Sequence, residues 1–144
     1  MIFGVIIGLI LALCVALVVL IAKDPGPRPD DAAVSYEMAW DRLDFDVLWT
    51  LSGTELRDGL DRKHFVATKR AAYASQHALR GLVVDVSIDD VVERGDIAVV
   101  TTRVSLRDRT AVRNRLQLAR RSRRWQVVAY QLVSDTDPSR TQSE

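Results

Sequence analysis

The spacing of apolar and polar positions changes character repeatedly along this chain, and each change marks a boundary. From Ile2 to Ala22 the sequence reads IFGVIIGLILALCVALVVLIA, without a charge or a polar interruption. About 20 such residues, rising 1.5 Å each, match a hydrocarbon layer of ~30 Å, so the pattern predicts a transmembrane helix over residues 1–23. A cleaved signal peptide would carry a basic leader, a shorter apolar stretch and a small-residue cleavage site, none of which stands around Lys23 and Asp24. Cys14 in LALC is preceded by Leu13 rather than the small residue a lipidation motif wants, and the apolar run continues past it to Ala22.

DPGPRPDD, Asp24 to Asp31, breaks that run with prolines and a glycine and predicts a short stiff stalk over residues 24–31. Asp30 or Asp31 is placed to cap a following helix. Ala33, Tyr36, Ala39 and Trp40 then recur at helical spacing, as do Leu43, Val47, Leu48 and Leu51, with Asp44 as a second cap and Gly53 as a stop. A third helix is expected from about Arg62 to Gln76, capped by Asp61 and carrying Phe65, Val66, Lys69, Ala72 and Tyr73 on one stripe.

After Gly81 the period shortens to two, the pattern of strands. Four alternating runs follow: Leu82 to Val92, Asp96 to Asp108, Thr110 to Arg120, and Trp125 to Asp135. The inward face should carry Leu82, Val84, Val86 and Ile88, then Ala98, Val100, Thr102 and Val104, then Val112, Asn114, Leu116 and Leu118. For the last strand either Trp125, Val127 and Ala129 or Gln126, Val128, Tyr130 and Leu132 face in. The pattern predicts three antiparallel hairpins with one apolar and one wet face.

Composition matters once the first segment is set aside. The chain of 144 residues has a net charge of +1, and nearly all its charges lie from Lys23 onward, so no global excess of positive charge points to nucleic acid. The basic cluster Arg120, Arg121, Arg123 and Arg124 falls where the third strand must reverse into the fourth, and is read as a solvated turn, with contact to anionic lipid or an acidic partner as its alternative. Trp125 and Tyr130 are an odd number of positions apart, which in an unbroken strand puts them on opposite faces and denies a stacking platform for bases. On the wet face Arg103, Arg113 and Arg115 are expected to pair with Asp85 and Asp89. Lys23 and Arg28 follow the apolar run and no basic residue precedes it, which by the positive-inside rule places the following domain in the cytoplasm of a single-pass cell-membrane protein. One cysteine excludes an intramolecular disulfide.

Helices followed by four long strands, with AVSYEMAWDRLDFDVLWTLSG at the start (Ala33 to Gly53) and RRWQVVAYQLV at the end (Arg123 to Val133), resemble the nuclear transport factor 2-like superfamily, membrane-tethered bacterial members included. That superfamily also contains ketosteroid isomerase-type and polyketide cyclase-type enzymes. The resemblance covers about Asp31 to Asp135 and implies an α+β, cone-shaped domain over residues 32–135, three helices packed on a curved four-stranded antiparallel sheet. It also implies that such a domain can dimerise through its outer sheet face. The polar, aperiodic residues 136–144 are expected to be a disordered tail.

Enzymes of this superfamily hold acids, histidines or tyrosines inside the cone. The inward strand positions supply no Asp, Glu or His apart from Asp90, and His64 and His77 lie on or beside the third helix, where a lone histidine is ordinarily a surface or cap residue. Metal-ligand spacing, a CxxC pair, a Gly-rich phosphate loop and a GxSxG elbow are absent from the sequence, so no cofactor and no metal are expected. The reading is a non-enzymatic, membrane-anchored interaction or accessory module with a protein partner and no nucleic acid. Its first alternative is a binding module holding an apolar small molecule or lipid, lined by Tyr36, Trp40, Tyr73, Asn114 and Tyr130. The second is an isomerase- or cyclase-like enzyme.

Overall fold

The computed structural model describes residues 10–18 and 26–133. Of the predicted span, residues 10–18 are helical, with side chains including Ile10, Leu13, Cys14 and Leu17 exposed. The rest of that span and the polar tail lie outside the described residues, and among the described residues no helix is long and apolar enough to cross a membrane.

The first helix of the domain, α1 (Pro29–Arg42), starts inside the segment expected to be stalk. Pro29 occupies the first helical turn, where a missing amide donor costs nothing. Asp30 and Asp31 therefore lie within that turn and favour it through the helix dipole rather than by capping. The helix closes at Leu43, whose φ of 54° is left-handed and whose amide bonds back to Ala39 and Trp40. Asp44 caps α2 (Phe45–Leu51) by accepting from the Val47 amide at 3.1 Å. A 3-10 turn (Thr54–Leu56) leads to α3 (Arg62–Ala72), capped as expected by Asp61 on the His64 amide at 2.9 Å. The helix ends short of Gln76, where Tyr73 turns its ring to 5.8 Å from Trp40 and 5.7 Å from Phe45.

The sheet is a plain meander of β1 (Val83–Arg94), β2 (Ile97–Leu106), β3 (Ala111–Arg121) and β4 (Arg124–Val133), in that spatial order. Its register departs from simple alternation at β-bulges, each of which adds a residue and bends the strand. On β1 the irregularity between Val83 and Asp85 leaves Val84 67% exposed, against the expectation that it faces in. A second, between Ile88 and Asp90, sets Asp90 opposite Thr101 while Ile88 stays opposite Thr102, so Asp90 moves to the outer face.

On β4 the pairing steps from Leu118↔Val127 to Gln117↔Ala129, with Val128 the extra residue. Trp125 and Val127 face the helices before the bulge, and Tyr130 and Leu132, opposite Leu116 and Asn114, share the inward side after it. Each of the two phases proposed for this strand thus holds over half of it. Trp125 and Tyr130 lie on the same face, contrary to the odd-spacing argument, because an odd separation plus one bulge is even. At the bulge the Gly53 amide donates to the Val127 carbonyl at 2.7 Å and Ser52 pairs with Val127, which covers the open edge of β4.

The core lies between the sheet and the helices, built from Ala33, Tyr36, Ala39, Phe45, Leu48 and Phe65 against Ala98, Val100, Leu116, Leu118, Trp125 and Val127. Val100, Leu116, Leu118 and Val127 are completely buried. Outside, Asp89 accepts from both Arg103 and Arg113 at 3.0–3.1 Å, a cross-strand cluster that holds its carboxyl below the usual range, chiefly through Arg103.

Candidate functional site: an aromatic cleft over a buried carboxylate

The residues of α1 that follow the apolar stripe decide the site. Ala33, Tyr36, Glu37 and Trp40 fall at positions i, i+3, i+4 and i+7 of one helical face. Tyr36 and Glu37 are both buried, Glu37 being 5% exposed. Its carboxylate reaches the sheet, where Oε1 accepts from Thr102 Oγ1 at 2.8 Å and from Asn114 Nδ2 at 2.9 Å, and Oε2 accepts from the Tyr130 hydroxyl at 3.3 Å. One side chain thus ties α1 to β2, β3 and β4. All three partners are neutral, and among the described residues no cation pairs with Glu37. Burial raises its pKa above the usual carboxylate value, against the opposing effect of the three hydrogen bonds. Tyr130 is pushed up in turn, first by burial and then by the neighbouring Glu37 charge, and Tyr36 rises chiefly through burial.

Above this carboxylate opens a cleft of about 420 Å³. Tyr36, Trp40, Tyr73 and Tyr130 line it together with Leu56, and Glu55, Asp58 and Lys69 complete its wall. The rings form a continuous series: Tyr130 to Tyr36 at 5.9 Å, Tyr36 to Trp40 at 6.5 Å, and Trp40 to Tyr73 at 5.8 Å. Their planes are inclined by 45°, 78° and 57°, the tilted and edge-to-face arrangements in which aromatic rings pack against one another. The wall charges are paired, Lys69 with Asp58 at 3.6 Å and Glu55 with Arg121 at 3.0 Å. The Arg121 bond is the main reason that the Glu55 pKa is lowered to about 2.

Of the residues singled out from sequence, Tyr36, Trp40, Tyr73 and Tyr130 come together in this cleft, while Asn114 lies beneath it as a partner of Glu37. Asn114 Oδ1 is buried without a hydrogen-bond partner among the described residues. Asp90 is exposed on the outer face. His64 is exposed on α3 against Asp61, and His77 is exposed in a 3-10 turn. Sequence reasoning missed Glu37, because the search for inward acids stopped at the strands; its place on the stripe with Ala33, Tyr36 and Trp40 was the available signal.

The basic cluster forms the β3–β4 hairpin tip, where Arg121 pairs with Arg124 across the two-residue turn Ser122–Arg123, whose φ values are 50° and 63°. Arg120 bonds Asp96 at 2.9 Å and lies 5.3 Å from the Trp125 ring, and Arg121 is held by Glu55. Arg123 and Arg124 border a second cleft of about 350 Å³ with Pro27, Ala32, Leu51 and Trp125. No group of three or more potential metal-ligating side chains is found among the described residues.

An open cone of antiparallel strands, closed on one side by three helices and carrying a cleft between them, is an architecture shared with solved structures. The chain is similar to a protein of Campylobacter jejuni described as a candidate NTF2-like transpeptidase, with 20% identity, 70% of this chain and 97% of that one covered, and a TM-score of 0.55. Weaker likeness, with a TM-score of 0.49 at 19% identity, covers 72% of this chain and 92% of an NTF2-like protein of unknown function from Silicibacter pomeroyi. A ketosteroid isomerase-like protein of Catenulispora acidiphila, in complex with trimethylamine, gives 0.41 at 16% identity, covering 72% of this chain and 84% of that one. No family model and no curated protein matches the sequence. The domain has the nuclear transport factor 2-like fold. Such identities establish fold alone, and the fold is compatible with ligand binding without naming an activity.

Proposed function

We propose that the domain is a non-enzymatic binding module that seats a small, largely apolar molecule in the aromatic cleft, and that the apolar segment Ile2 to Ala22 holds it at a cell membrane. The observation that carries the first half is the cleft itself: about 420 Å³ between Trp40, Tyr73, Tyr36 and Tyr130, of a size at which small-molecule sites begin. Binding is favoured over catalysis by the position of the acid. Glu37 lies beneath the lining and its oxygens are engaged by Thr102, Asn114 and Tyr130, whereas a general acid or base must reach the substrate's proton. Asp90, the strand carboxylate that the enzyme alternative relied on, is turned away from the cone by a bulge.

The second half rests on residues 10–18, a helix whose leucines, valines and isoleucine are exposed to a degree that water does not reward. Lys23 and Arg28 beyond the run favour the cytoplasmic side for the domain, and on this reading a protein partner there reads the occupied state.

The test is a fragment titration of the full-length chain in a neutral detergent, following NMR signals of the Trp40 indole and Tyr73 ring with small neutral aromatic and alicyclic compounds. Saturable shifts confined to the cleft, lost in Trp40→Ala, are expected; no saturable shift at millimolar concentration overturns the reading. Alkaline carbonate extraction of cell membranes tests the anchor separately, release into the supernatant being the contrary result.

A further inference from the structure

The cleft combines features whose chemistry is more specific than an apolar hole. Its rings are contiguous and mutually tilted, and the carboxylate beneath them has no counter-ion among the described residues. A buried carboxylate held only by neutral donors carries an unrelieved desolvation cost. The charges nearer the surface do not relieve it, since Lys69 is committed to Asp58 and Arg121 to Glu55. When Glu37 is ionised, the field left over in the cleft is therefore negative. The ring faces add to it, because an aromatic face is the negative end of the ring quadrupole, and Tyr130 donates its hydroxyl hydrogen toward Glu37, which leaves its ring richer in electrons.

We infer that the cleft is built for an organic cation, a small quaternary or tertiary ammonium group whose methyl surface packs on Tyr36, Trp40, Tyr73 and Tyr130 while Glu37 beneath supplies the opposite charge. This rests on the binding reading above and narrows it to one ligand class. A bare metal ion would need several charged or carbonyl oxygens converging on it, and among the described residues no group of three or more His, Cys, Asp or Glu side chains is placed to hold one. An ammonium group covered by methyls is weakly hydrated and loses little by leaving water for an aromatic wall. The rest of the lining does not oppose such a ligand: Leu56 adds apolar surface, and the Asp58–Lys69 and Glu55–Arg121 pairs add no net charge.

Cation binding favours the ionised form of Glu37, so affinity for the cation rises as pH increases through the Glu37 titration and levels off above it. The groups facing that carboxyl are Tyr36 from α1 and Tyr130 from β4, both shifted upward and neutral across this interval; Thr102 and Asn114, from β2 and β3, do not titrate.

The experiment titrates the full-length chain in neutral detergent with choline chloride and, separately, with 3,3-dimethylbutan-1-ol, its uncharged carbon isostere, at constant ionic strength, reading tryptophan fluorescence and NMR shifts. The inference expects choline to bind about tenfold or more tightly than the isostere, the ratio that ~1.4 kcal/mol of cation recognition produces. Glu37→Gln is expected to remove most of that ratio while leaving isostere binding in place, and acidification to reproduce the effect in the wild type. Trp40→Leu, which keeps the buried network intact, provides a second variant and is expected to weaken choline more than the isostere. Equal affinities in the wild type overturn the cation inference and leave the apolar binding site standing. Binding of neither compound also overturns it, and the fragment titration then decides on the site itself.

Discussion

Replacing Glu37 by alanine and, separately, by glutamine measures what the buried carboxylate does for the fold. Alanine leaves Thr102 Oγ1 and Asn114 Nδ2 without an acceptor, and both residues are fully or almost fully buried. A stranded buried donor costs ~1–3 kcal/mol. The Tyr130 hydroxyl belongs to a residue 42% exposed and can turn to water, so it adds little. Two stranded donors and the space left by the side chain amount to about 3 kcal/mol at acid pH. Glutamine keeps an acceptor for Thr102 and Asn114 and carries no charge, so it should lie within about 1 kcal/mol of wild type there.

The pH dependence has a definite sign. Because the Glu37 pKa is raised in the folded state, the folded chain holds that proton more tightly; the associated stability is complete below the unfolded value and is lost as pH rises through the folded one. Between those limits the wild type should lose stability relative to Glu37→Gln, whose own curve lacks this component. Urea unfolding of the full-length chain in neutral detergent, followed by tryptophan fluorescence from about pH 4 to about pH 8, gives both quantities. Alanine and glutamine variants agreeing to within about 0.5 kcal/mol at pH 4, or a wild-type minus glutamine difference that does not change with pH, would refute the role assigned to Glu37.

Other consequences are more local. Asp44→Ala removes the acceptor for the Val47 amide at the start of α2 and should lower stability by about 1 kcal/mol in the same urea assay, with Asp44→Ser recovering most of it. Ser122→Asn with Arg123→Gly supplies the hairpin turn with residues suited to its two left-handed positions, and a gain of about 1 kcal/mol is expected. Deleting Val128 restores simple alternation to β4 and turns Tyr130 to the outer face; phenolate formation by ultraviolet titration should then show one tyrosine returned toward the ordinary range, and cleft ligands should no longer bind. Retained ligand binding in that deletion would show that Tyr130 is not part of the wall.

Much of the architecture was legible because periodicity reports burial directly. Ala98, Val100, Thr102 and Val104 on β2, and Asn114, Leu116 and Leu118 on β3, alternate as read and are buried as read, since these two strands lie in the middle of the sheet with a neighbour on either side. Legibility fails at the edges. β1 and β4 each have a strand neighbour on one side only, can accommodate an extra residue, and do so at Val84, Asp89 and Val128. A bulge leaves no mark in an alternation pattern except a change of phase. On β4 that change appears as two half-satisfied patterns, Trp125 and Val127 followed by Tyr130 and Leu132.

The same blindness explains why the site was seen only in part. Aromatic residues at helical spacing identify a stripe, so Tyr36, Trp40 and Tyr73 could be gathered from sequence, but whether Tyr130 joins them depends on the single added residue Val128, which reverses the facing of everything after it on β4.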